Sequence, residues 1–79
     1  MVNHTTTYGL RAEDVRIDVF TSGPANRPMH AVRATHLPTG MVTDGGVDQS
    51  QLASRERALR SLGRKVSSYL QAKAEGRAR

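Results

Sequence analysis

Residues 31–44 read AVRATHLPTGMVTD, and this stretch decides the fold. Val32, Ala34 and His36 alternate with Arg33 and Thr35, the two-residue period of a half-buried strand. LPTG, at 37–40, is a turn. Pro38 presets φ for the second position of a type I turn, and Gly40 accepts the left-handed conformation after it. MVTD then returns as a short antiparallel strand, making a hairpin. Upstream, Val15, Ile17 and Val19 alternate with Arg16 and Asp18 and form another strand. The two apolar runs are separated by SGPANRPMH at 22–30, whose glycine, prolines and asparagine mark irregular chain. Asp44-Gly45-Gly46 is expected to end the sheet.

From Asp48 the period changes to that of a helix. Asp48 and Gln51 have the spacing of a capping box. Leu52, Leu59, Leu62, Val66, Tyr69 and Leu70 form one apolar stripe at helical spacing. Arg57, Arg60 and Arg64 fall together on the opposite side, so an aliphatic face can pack on the sheet while a row of arginines points outward. Gly63 flanks the stripe, at a place where close approach or a bend is expected. The sequence therefore predicts an α+β fold, a small three-stranded mainly antiparallel sheet packed against a long C-terminal helix. Strands are expected at 14–20, 30–37 and 41–44 and the helix at 48–74, with a flexible arm at 1–12 and a tail at 75–79.

The chain has 79 residues, enough for one domain, with no cysteine and only three aromatics, Tyr8, Phe20 and Tyr69. A chain this short buries only about 60–65% of its unfolded surface. Its core must be small and aliphatic, which leaves little room for a deep small-molecule pocket of roughly 300–1,000 Å³. No small-molecule substrate or cofactor is expected, and function is expected on the outer surface. The first residues are polar and no apolar run approaches the roughly 20 residues of a membrane span, so a cytoplasmic protein without a membrane partner is expected. Charge is uneven: residues 1–48 carry a net −1 and residues 49–79 a net +6. A basic half points to an anionic partner, most often nucleic acid, although a solvated helix face gives the same composition. Ten of the twelve basic residues are arginine, which binds phosphate in a bidentate manner and stacks on bases.

Several chemistries find no support. His30 and His36 would lie roughly 20 Å apart on one strand, too far for a shared metal. LGRKVSS at 62–68 lacks the upstream glycine of a phosphate loop and sits inside a helix instead of after a strand. There is no Gly-x-Ser-x-Gly elbow. The pairs Glu13/Asp14 and Asp44/Asp48 read as solvated charges and a helix cap.

Taken in order, VRIDVFTSGP (15–24), AVRATHLPTGMV (31–42) and DQSQLASRERALRSL (48–62) resemble the catalytic domain of class I peptide chain release factors and their stalled-ribosome rescue relatives. The resemblance runs from about Val15 to Val66. It implies the same α+β fold, entry into the large ribosomal subunit, and hydrolysis of the peptidyl-tRNA ester promoted by a Gly-Gly-Gln loop. After the matching Ser22-Gly23-Pro24, however, only ANRPMH precedes Ala31, where the family keeps about ten residues including that tripeptide. Asn26 is the nearest amide and lacks the preceding glycines, so no residue takes over the catalytic role. Gln49 and Ser54 stand where the family has Arg and Asn. The short tail with Glu75 departs from the basic tail of the rescue relatives, and no codon-reading segment is recognisable.

The expectation is a non-catalytic module that binds ribosome or ribosomal RNA and modulates translation. Matched polar positions place Arg33, His36, Thr39, Gln51 and Arg55 at the RNA, and the outward row adds Arg57, Arg60 and Arg64 as phosphate contacts. No catalytic residue and no metal ligand is expected. One alternative is a protein-interaction module, of the kind a phage encodes, that binds a translation factor or another regulator. Another is a peptidyl-tRNA hydrolase with an altered loop.

Overall fold

The computed structural model describes residues 7–77. Three strands, β1 (Val15–Ser22), β2 (Met29–His36) and β3 (Met41–Asp48), are followed by one long helix, α1 (Gln51–Arg77). The sheet is an antiparallel meander in the order β1-β2-β3. This is the α+β architecture read from the sequence.

Register fixes which side chains meet. Ile17 lies opposite Ala34 and Val19 opposite Val32, so Val15, Ile17 and Val19 of β1 share a face with Val32, Ala34 and His36. That face receives the helix. Val32, Ala34, Ala58 and Leu62 are completely buried, and Leu10, Leu59 and Val66 complete the core, with Val15, Ile17 and Met41 packed at its margin. The helix lies over β2 and β3. Val19, near the middle of the edge strand β1, consequently remains 40% exposed.

The hairpin turn forms with Gly40 left-handed as expected, but it closes on His36 instead of Leu37, so Pro38 is the third residue of the 36–39 turn and not the second. His36 O accepts from the Gly40 amide at 2.7 Å and from the Thr39 amide at 3.3 Å, and Gly40 has φ 76°. β3, however, does not stop at Asp44. Ala31 pairs with Val47 and Arg33 with Asp44, so Gly45 and Gly46 together oppose Val32. This is a β-bulge, with Gly46 in the left-handed region at φ 80°. The glycines bend the strand and let it continue, which is why reading them as a terminator misplaced its end.

Other boundaries also shift. β1 runs on through Thr21 and Ser22, because Thr21 faces His30 across the ladder, its Oγ1 3.0 Å from His30 Nδ1. The helix begins at Gln51 and continues through Glu75 to Arg77, so most of the expected tail is helical. The expected arm at 1–12 lies outside the described residues up to residue 6. Beyond that it holds two 3-10 turns, Thr7–Gly9 and Ala12–Asp14, and Leu10 between them is 3% exposed. Burying one leucine fastens this segment to the core, and no periodicity in the sequence announces it.

The apolar stripe on α1 is shorter than its spacing suggests. Leu59, Leu62 and Val66 are buried, whereas Leu52, Tyr69 and Leu70 are exposed because the sheet does not extend beneath them. Ser54 and Ala58 take their place, giving a straight ridge of 54, 58, 62 and 66 at four-residue steps.

Candidate nucleic-acid interface

The start of α1 is locked by a polar cluster. Ser50 is the N-cap: its Oγ accepts from the Ala53 amide at 3.0 Å. Asp48, expected as the cap, instead accepts from the Ser50 amide at 2.7 Å and so shapes the turn before the helix. Arg57 donates through Nη2 to the other Asp48 oxygen at 3.0 Å and through Nε to the Gly45 carbonyl at 2.7 Å. The Ser50 amide, and then the Arg57 guanidinium, hold the Asp48 carboxyl below its ordinary value.

Ser54 ties helix to sheet. Its fully buried hydroxyl donates to Gly46 O at 2.7 Å and accepts from the Val32 amide at 2.9 Å. Val32 is the residue opposite the bulge, and Ser54 supplies the partner that the ladder withholds. The approach is so close that a Cβ on Gly45 would overlap the Ser54 carbonyl. Further along, Thr43 Oγ1 donates to Ala58 O at 2.7 Å and Lys65 Nζ donates to Val42 O at 3.4 Å.

These contacts orient the opposite helix face. Arg57, Arg60 and Arg64 all lie on the exposed side, as the spacing predicts. Arg57 is nevertheless committed to Asp48 and Gly45, and is not a free cation. Arg64 has no acidic partner among the described residues. The Arg60 guanidinium lies 5.9 Å from the centre of the Tyr8 ring. Arg55 is exposed near the start of the helix, in line with Leu52 and Leu59 and not with the arginine row, and has no acidic partner among the described residues. Gln51 is exposed at the first residue of the helix.

The remaining expected contacts scatter. Arg33 points to the opposite side of the sheet, pairs with Asp44 at 3.2 Å and covers the Phe20 ring at 5.2 Å. His36 is 8% exposed, with Nδ1 2.9 Å from Thr39 Oγ1. Thr39 Oγ1 also accepts from the Met41 amide at 3.3 Å. His36 and Thr39 therefore brace the hairpin turn. Alternation along β2 already assigns His36 to the same side as Val32 and Ala34, opposite Arg33. Ser54, which stands where the resembled family has Asn, is interior. Tyr8 was missed altogether, since a single aromatic in an aperiodic segment carries no pattern.

The connection between β1 and β2 is Gly23–Pro28. Arg27 N donates to Pro24 O at 2.9 Å, which closes a β-turn with Ala25 and Asn26 at its centre. Ser22 pairs with Met29 at its base. The loop is a tight hairpin connection, and residues 23–27 are exposed. Among the described residues no group of His, Asp and Glu side chains converges as a metal site, and no helix is long and apolar enough to cross a membrane.

Comparison with known proteins places this geometry. No protein-family model matches the chain. Peptide chain release factor 2 of Chloroflexus aggregans is 47% identical over 76 residues, 89% of this chain and 21% of the relative. Peptide chain release factor 1 of Symbiobacterium thermophilum is 42% identical over 73 residues, 84% of this chain and 20% of the relative. Among solved structures, RF2 of Thermus thermophilus superposes with a TM-score of 0.70 at 36% identity, covering 85% of this chain and 20% of that one. The chain thus spans about a fifth of the length of the relatives it matches. Its homologues are the class I peptide chain release factors, matched over the region of their catalytic domain.

Proposed function

We propose that this chain is a release-factor-like module that binds the ribosome through ribosomal RNA, without hydrolysing peptidyl-tRNA, and thereby modulates translation. The observation that carries the reading is the outward face of α1, where Arg60 and Arg64 stand exposed with no carboxylate paired to them among the described residues. Such a face binds phosphates by charge and releases condensed counterions. Each phosphate neutralised lowers log K by about 0.7–0.9 per log unit of salt. The non-catalytic part rests on the loop sequence, GPANRP at 23–28, which contains no Gly-Gly-Gln.

Ribosome co-sedimentation at two salt concentrations tests the first part. Retention is expected to fall with salt and in an Arg60→Glu/Arg64→Glu variant. Arg57 is left intact because it holds the start of the helix. Retention indifferent to both changes overturns the electrostatic reading. Peptide release from ribosome-bound peptidyl-tRNA tests the second part. Release above background that disappears when residues 25–30 are replaced would show the chain to be a hydrolase.

One observation favours a protein partner instead. Phe20 and Val47 flank Ala31 across the open face of the sheet and are 51% and 63% exposed. On that reading, ribosome or factor association survives the arginine reversals and is lost in Phe20→Ser.

A further inference from the structure

Tyr8 is the one non-glycine residue among those described with positive φ, at 63°. A bulky side chain in the left-handed region is strained, and such strain persists only where the surroundings hold it. Three contacts do so. A Cβ on Gly63 would lie 2.6 Å from Tyr8 Cβ and 2.7 Å from Tyr8 O, so the tyrosine backbone sits where only a glycine lets it sit. The phenol donates to Glu56 Oε1 at 3.2 Å. The Arg60 guanidinium lies over the ring. Glu56, Arg60 and Gly63 follow one another at helical spacing, so the ring is laid along the outer side of α1. Seven residues of helix span about 10 Å, which matches the reach of a tyrosine from Cβ through its hydroxyl to a bonded oxygen.

Tyr8 is nonetheless 39% exposed. An aromatic surface fixed in position, in cation–π contact with an arginine and one helical turn from the unpaired Arg64, has the composition of a single-stranded nucleic-acid site. Unpaired bases stack on aromatic and guanidinium planes while nearby cations track the backbone. The geometry points to Tyr8 and Arg60 as a stacking platform for an unpaired RNA base, with Arg64 on the adjoining phosphate. This inference rests on the proposed RNA-binding reading and makes it specific: the ligand is an unstacked nucleotide, and charge alone does not satisfy the site.

The test uses the whole chain and two probes of equal charge, a single-stranded uridine oligonucleotide and its abasic counterpart. Wild type should prefer the oligonucleotide with bases. Tyr8→Leu, which keeps an apolar side chain, should weaken binding to it by about fivefold to a hundredfold and abolish the preference. Tyr8→Phe should retain both. In a Tyr69→Phe background Tyr8 is the only tyrosine, and the chain has no tryptophan, so its fluorescence should be quenched by the oligonucleotide and not by the abasic strand. Circular dichroism confirms that each variant is folded. Equal affinity of folded Tyr8→Leu and wild type for the base-bearing probe, with loss in Arg60→Glu/Arg64→Glu, overturns the platform and leaves the electrostatic reading standing. Absence of binding by wild type to both probes and to ribosomes overturns both.

Discussion

Ser54→Ala removes one oxygen atom, yet it should be among the most damaging conservative changes in the chain. The Ser54 hydroxyl makes two hydrogen bonds at full burial, donating to Gly46 O and accepting from the Val32 amide. Alanine fits the space and leaves that amide inside the core without a partner, since the bulge removes its ladder bond. An orphaned buried donor costs about 1–3 kcal/mol, and the lost bond to Gly46 adds about 1 kcal/mol. The expected total is about 2–4 kcal/mol. A domain of this size has roughly 4–12 kcal/mol to lose. Each kcal/mol lowers Tm by about 4–8 °C, so a fall of at least about 8 °C is expected. Urea unfolding followed by circular dichroism gives the stability, and amide exchange at Val32 gives the local effect, which should exceed that of its strand neighbours. A loss under about 0.5 kcal/mol with unchanged Val32 protection would refute the assignment of Ser54 as the partner of the bulge.

The two close-approach glycines should behave differently. Gly45→Ala drives a methyl into the Ser54 carbonyl within the core, where neither backbone can move aside, and thermal denaturation should show a loss above about 3 kcal/mol or no cooperative transition. Gly63→Ala gains about 1 kcal/mol of helix propensity but displaces Tyr8, which lies on a peripheral segment. The fold should survive, with the Tyr8 ring resonances and fluorescence changed. Asp48 is held below its ordinary value of 3.8, chiefly by the Ser50 amide and then by Arg57. Its contribution is complete above that value and is lost as pH falls through it and through the lower folded value. Acid titration should therefore destabilise wild type more steeply below about pH 4 than Asp48→Asn.

Local chemistry made the sheet and helix legible. Gly40 marks the turn, the alternation of β1 and β2 determines their faces, and Leu59, Leu62 and Val66 determine the phase of α1. What escaped were features without an apolar signature. Ser54 and Ala58 complete the buried ridge yet count as polar and small. Gly45 and Gly46 resemble a stop signal, and only the neighbouring helix backbone reveals why two glycines are needed mid-strand. Tyr69 and Leu70 keep the helical period past the last buried residue, because periodicity records the direction of a side chain and not how far the sheet reaches. The arginine row was correctly phased. That Arg57 is engaged while Arg64 has no acidic partner among the described residues depends on where β3 brings Asp48 and Gly45, which spacing along the helix does not encode.

The mismatch between helix and sheet divides α1 into two thermodynamic regimes. Up to Val66 its backbone hydrogen bonds share the cooperative stability of the domain. Residues 67–76 are exposed throughout, so their helicity rests on intrinsic propensity and the Lys73–Tyr69 contact at four-residue spacing, over a segment that includes Ser67, Ser68 and Gly76. Isolated segments of that length are marginal helices in water. The overhang persists because the packed portion supplies its nucleus. Cooling should lengthen it and heating shorten it well below the unfolding transition, so that circular dichroism at 222 nm slopes before the domain melts. A surface that caught Tyr69 and Leu70 would shift that helix–coil equilibrium and register its own binding as added helix.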